Sequence, residues 1–143
     1  MIVTVTLNPS IDRTAPIAGP LRRGQVNRLG SSTEVAAGKG VNISRVLRGA
    51  GIETCAVVPA GAKGRLTLGL NHDDIPHQVV PVAAAVRTNL TITEPDGITT
   101  KINEPGADLS PEELTAVEEA IVEKSSGAQW VVLSGSLPPG VPT

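Results

Sequence analysis

Residues 36–42, AAGKGVN, run straight into a helical pattern and carry the sharpest chemical signal in the chain. Glycines ahead of a helix let the backbone approach an anion. The free N–H groups and the positive end of the helix dipole then favour a phosphate or polar hydroxyls. Gly38, Lys39, Gly40 and Asn42 are the candidates supplied here. The segment is not a Walker A loop, because Thr33 and Gly40 stand where that pattern needs a glycine and a Ser or Thr. A tight turn with a solvated lysine satisfies the same spacing.

Three further segments place polar groups where open α/β sheets bind ligands. Asp12 follows a strand end by a few residues, and its carboxylate suits sugar hydroxyls; a turn-forming Asp is the plainer alternative. Arg87, Thr88 and Asn89 start a β-patterned stretch, where an arginine beside small polar residues can clamp a phosphate bidentately or simply face solvent. Ser134, Gly135 and Ser136 end an apolar run with small polar groups. His72 and His77, with Asp73 and Asp74, fit a solvated turn better than a metal site, and Cys55 in an apolar stretch reads as an inert core residue.

These residues need elements to hold them. Residues 2–7 (IVTVTL) alternate as a strand and end in a turn at Asn8, Pro9 and Ser10. Residues 11–35 have no helical period, and their prolines and glycines leave short extended pieces. Residues 41–51 form a helix whose apolar stripe is Ile43, Val46, Leu47 and Ala50. Residues 53–60 and 78–82 read as strands, while 61–76 fit either a strand through Leu66, Leu68 and Leu70 or a short helix ending near Asn71. Residues 88–103 form a hairpin around Pro95, Asp96 and Gly97. Ser110, Pro111 and Glu113 open a helix through a capping box, with Leu114, Val117 and Ile121 as its stripe and Gly127 at its end. Residues 130–133 (WVVL) form a continuous apolar run, the pattern of a strand buried on both faces. Strands alternating with helices predict an α/β fold with a parallel sheet, and residues 11–35 with the hairpin predict a separate small β-layer.

Composition narrows the function. The 143 residues carry 12 Lys and Arg against 14 Asp and Glu, a net charge of −2 that lacks the basic field of a nucleic-acid binder. Aromatic residues are 1% of the chain, which argues against base stacking. No apolar run approaches the length of a membrane span, and Met1 leads into a strand pattern rather than a signal peptide, so no membrane partner and a cytoplasmic setting are expected. A single cysteine excludes an internal disulfide framework.

Four segments in order resemble the ribokinase-like (PfkB) sugar kinases: TLNPSID at 6–12, AGKGVNISRVL at 37–47, RTN at 87–89 and LSGSLP at 133–138. The TKINEPG stretch at 100–106 is similar to the phosphosugar branch of that family. The resemblance spans residues 1–142. It implies a three-layer α/β domain with a small β-sheet lid, here from segments about 11–35 and 86–104, which covers the sugar and mediates a homodimer. It also implies that Asp12, the backbone of Gly38, Lys39 and Gly40, and Asn42 hold sugar hydroxyls. Arg87 and Ser136 would contact the existing phosphate, with Lys39 and Asn89 nearby.

The implied reaction passes the ATP γ-phosphoryl group, with Mg²⁺, to the free terminal hydroxyl of fructose 1-phosphate. Tagatose 6-phosphate and fructose 6-phosphate are alternative substrates, and a non-catalytic sugar-phosphate-binding or dimerisation module is the alternative class. Family members are about twice as long, and their second half carries an Asn-x-x-Glu magnesium motif and a Gly-Ala-Gly-Asp loop with the catalytic Asp. Neither occurs here, so the chain is expected to be the N-terminal, sugar-binding half, with no catalytic residue or metal ligand of its own, inactive alone and with WVVL at 130–133 left as an exposed edge strand.

Overall fold

Short β-branched runs separated by helices pair as a parallel sheet in the computed structural model, which describes residues 1–142. Its strands are β1 (Ile2–Val5), β4 (Thr54–Ala60), β5 (His77–Pro81) and β8 (Trp130–Leu133), in the order β5-β4-β1-β8 and all parallel. Three helices cover it: α1 (Lys39–Gly49), α2 (Arg65–His72) and α3 (Pro111–Ser125). Leu66 and Leu70 of α2 and Val41 of α1 pack with Ala56, Val58 and Ala60 on one face. Val117 of α3 packs with Val3, Val5 and Val57 on the other. The result is the expected α/β layering, with helices on both faces of a parallel sheet.

A second sheet is built from β2 (Ser10–Pro16), β3 (Thr33–Ala37), β6 (Arg87–Thr93) and β7 (Thr99–Asn103), in the order β3-β2-β6-β7. β2 runs parallel to β6, and the outer pairings are antiparallel. The β6–β7 hairpin closes with Gly97 N donating to the Glu94 carbonyl.

Of the two readings open for 61–76, the short helix forms, as α2, because Leu66 and Leu70, four apart, bury one face while Leu68 lies exposed. Other expectations are corrected. The stripe Ile43, Val46, Leu47 and Ala50 is not the most buried face of α1: Ile43 and Leu47 are half-buried, while Ala50 is exposed and Val46 is 71% exposed. Gly40, Val41 and Ser44 face the sheet instead. The reason is a buried hydroxyl relay. Ser44 Oγ lies 2.7 Å from Thr4 Oγ1 and 2.9 Å from Thr54 Oγ1, and Thr54 Oγ1 donates to the Ile2 carbonyl. Small polar residues thereby bring α1 close to β1 and β4.

WVVL is not sealed on both faces as its apolar run suggests, but takes the exposed edge position that the resemblance implies. β8 is the edge strand beside β1, with Trp130 at 69% and Leu133 at 72% exposed. Cys55 is half-buried rather than deep in the core, and burial raises its thiol pKa. The capping box of α3 forms as expected: Glu113 N donates to Ser110 Oγ and Ser110 N to Glu113 Oε2.

Candidate functional site

The ends of β1, β2, β6 and β8 and the start of α1 meet around a cleft of about 250 Å³. Thr6, Asn8, Ser10, Asp12, Gly38, Lys39, Asn42, Arg87, Asn89, Gly135 and Ser136 line it. Of the residues predicted from sequence, Asp12, Gly38, Lys39, Asn42, Arg87, Asn89 and Ser136 therefore come together. Gly40 does not line the cleft. It is buried one residue further into α1, where an added Cβ would sit 2.5 Å from Thr6 Oγ1 and 2.8 Å from the Val5 carbonyl. Its small size lets the helix start lie on β1. Gly38 holds a φ of 134°, which side-chain-bearing residues rarely adopt, and turns the chain from β3 into α1.

The registry of the second sheet explains the carboxylate–amide pair. Asp12 on β2 lies opposite Asn89 on β6, and in a parallel pair both side chains rise on one face. Asn89 Nδ2 donates to Asp12 Oδ1 at 3.0 Å, and Ser10 Oγ donates to the same oxygen at 2.8 Å. Asp12 is thus oriented with Oδ2 left to accept from a ligand. Asn89 Oδ1 is buried and has no partner, so it adds a second acceptor. Arg87 supplies the opposite polarity: its Nη1 donates to the Glu104 carbonyl at 3.2 Å, while its Nε is buried without a partner. Buried polar atoms are ordinarily paired, so Arg87 Nε and Asn89 Oδ1, on two residues that line the cleft, are exceptions.

Sequence reading assigned no role to Thr6, Asn8 or Ser10. Thr6 Oγ1 accepts from Val41 N at 3.1 Å and so caps α1, whose N-cap Gly38 has no side chain to offer. Asn8 Nδ2 donates to the Pro105 carbonyl at 3.0 Å, Ser136 Oγ at 3.3 Å and the Leu137 carbonyl at 3.4 Å. One buried amide therefore joins the loops after β7 and β8. The Asn-Pro-Ser turn was visible, but its long-range acceptors lie about a hundred residues away in the chain.

The His72, His77, Asp73 and Asp74 group forms no metal cluster among the described residues. His77 Nδ1 is paired with the Ile75 carbonyl, and Arg45 and Arg48 pair with Asp73 and Asp74. No helix of the described residues is long and apolar enough to cross a membrane.

Comparison with known proteins returns consistent matches, although no family model matches the chain. The chain is 32% identical over 145 residues to a 1-phosphofructokinase of Vibrio cholerae, covering 98% of this chain and 44% of the relative. It is 33% identical over 145 residues to an ATP-dependent 6-phosphofructokinase isozyme 2 of Mycobacterium tuberculosis, covering 98% of this chain and 42% of the relative. The structure of phosphofructokinase-2 from Escherichia coli in complex with fructose-6-phosphate superposes with a TM-score of 0.89 at 32% identity, over 99% of this chain and 47% of that one. The chain spans less than half the length of the curated relatives named here.

Proposed function

Because the chain belongs with the ribokinase-like (PfkB) sugar kinases in fold and sequence, we propose that its cleft binds a phosphosugar and serves ATP-dependent phosphorylation of it. Fructose 1-phosphate, converted to fructose 1,6-bisphosphate as by a 1-phosphofructokinase, is the favoured substrate. One observation carries this reading. A buried, unpartnered guanidinium nitrogen on Arg87 and an unpartnered carboxamide oxygen on Asn89 share one cleft with the oriented carboxylate of Asp12. A cation and two acceptors in one hollow suit a ligand that is anionic at one place and rich in hydroxyls at another. Asp12 Oδ2 and Asn89 Oδ1 accept sugar hydroxyls; Arg87, with Ser136 and Lys39, takes the phosphate; Asn42 and the Gly38 backbone complete the sugar contacts. Fructose 6-phosphate is the second substrate, favoured by the ligand of the Escherichia coli relative.

Phosphoryl transfer needs a metal on the transferred phosphates and a group that positions the attacking hydroxyl. The cleft offers one carboxylate, Asp12, already held by two donors, so the described residues do not make up a Mg²⁺ site. No step through ATP or Mg²⁺ is derived from this chain. We place both with parts of the relatives beyond the matched span and expect the 143-residue chain to be inactive alone. A homodimer through the second sheet, in a cytoplasmic setting, completes the proposal; the Escherichia coli relative is also known in a tetrameric form.

Titration calorimetry with Arg87→Ala tests the assignment. The variant should weaken fructose 1-phosphate binding by roughly 1.5–3 kcal/mol, the scale of a charge-assisted hydrogen bond, and affect fructose much less. Equal losses for both sugars would reduce Arg87 to a structural residue.

A further inference from the structure

The α1 residue Arg45 reaches three elements at once. Its Nη1 donates to Asn42 Oδ1 at 2.8 Å, one helical turn earlier. Its Nη2 donates to the Ala36 carbonyl near the end of β3 and, at 3.0 Å, to Asp73 Oδ2 at the C-terminal end of α2. The guanidinium is a planar fork of fixed geometry, so two of these contacts determine the direction of the third. Arg48 differs: it ties α1 to Asp74 and touches no residue of the cleft.

A carboxamide has an acceptor end and a donor end, and which end meets a ligand is a matter of rotation about one bond. With Asn42 Oδ1 committed to Arg45, its Nδ2 is the end left for the cleft. We infer that Arg45 is a positioning residue that fixes the Asn42 carboxamide with its donor end toward the ligand. Asn42 then recognises an acceptor, a hydroxyl lone pair or a phosphate oxygen, and complements the acceptor-only pair formed by Asp12 Oδ2 and Asn89 Oδ1 across the cleft. The orientation also disfavours ligands that present only a donor at that point. This inference rests on the cleft being the phosphosugar site.

Two substitutions separate positioning from general support. Arg45→Met removes every contact. Arg45→Lys keeps a cation for Asp73 but offers a point charge where a fork is needed. In the ligand-free chain, ¹⁵N relaxation of the Asn42 side-chain NH₂ should show an ordered group that becomes mobile in both variants. With fructose 1-phosphate as the probe, each variant should lose about five- to tenfold in affinity, the scale of one hydrogen bond. In an Asn42→Ala background the same changes should cost less than about twofold, since nothing remains to be positioned.

An Asn42 amide that stays ordered in both variants would overturn the inference. So would equal affinity losses with and without Asn42, or failure of both variants to fold, which would make Arg45 a strut of the fold. If the unmodified chain binds no fructose 1-phosphate, the phosphosugar reading fails, and the ligand-free relaxation measurement still decides the role of Arg45.

Discussion

In the parallel sheet the central strands are sealed on both faces: Val3, Val57 and Val58 are 0% exposed, and even Thr4 between them is fully buried. The second sheet leaves most of its hairpin in solvent, with Ile102 on β7 56% exposed and Ile92 the one buried residue of β6. Helices on both faces explain the first case, since α1 and α2 cover one side and α3 the other. The second sheet has α2 against one end and the cleft against its polar face. One sheet holds the strand ends still, and the other presents Asp12 and Asn89 at a fixed register. Stability and recognition are thus largely carried by different parts of the chain, a division that substitutions can break.

The largest effect is expected for Leu66→Ala, which empties a fully buried position between α2 and the parallel sheet. A loss of about 3 kcal/mol in unfolding free energy by urea titration would match a core cavity. Next comes Gly40→Ala, which pushes a methyl group against Thr6 and the Val5 carbonyl and should cost about 2 kcal/mol. That variant should also disturb ligand affinity, because it moves the start of α1; unchanged affinity would show the cleft to be independent of that contact. Ser110→Ala removes the α3 cap and should cost about 1 kcal/mol in the same titration.

Acid stability offers a subtler check. The Asp73 carboxyl is held below its usual range by hydrogen bonds from His72 and then Arg45, and Glu113 by the backbone N–H groups of Ser110 and Ala83. Carboxyls depressed in the folded state contribute stability that is fully present above their unfolded value and is lost as pH falls through the folded value. The urea midpoint should therefore fall on the acid side of the ordinary carboxylate range, and less steeply in Arg45→Met. A profile that is flat there would remove these pairs from the account. Smallest of all, Ile102→Thr on the second sheet should change stability by less than about 0.5 kcal/mol. A large loss there would mean that something covers the hairpin in solution.

Local chemistry by itself determined α3, whose cap depends on residues within three positions of Ser110, and the β6–β7 hairpin, whose turn residues are contiguous. The motifs also marked the cleft, with Lys39 and Arg87 opening α1 and β6, whereas Asp12, expected in a turn after β1, lies inside β2, where the strand register and not the local turn sets it opposite Asn89. The most buried face of α1 was beyond the reach of local chemistry. An apolar stripe predicts burial only if the facing surface is apolar, and Thr4 and Thr54 present hydroxyls that select Ser44. The four apolar residues of β8 by themselves read as a strand buried on both faces; its exposed edge position was expected only from the resemblance, and strand order sets it. The role of Asn8 and the anchoring of Arg45 on Asp73 were decided by tertiary structure, since Pro105 and Asp73 are distant in the chain from the residues they meet and reach them only after the strands have paired and the helices have docked, whereas the Arg45–Asn42 contact spans one helical turn.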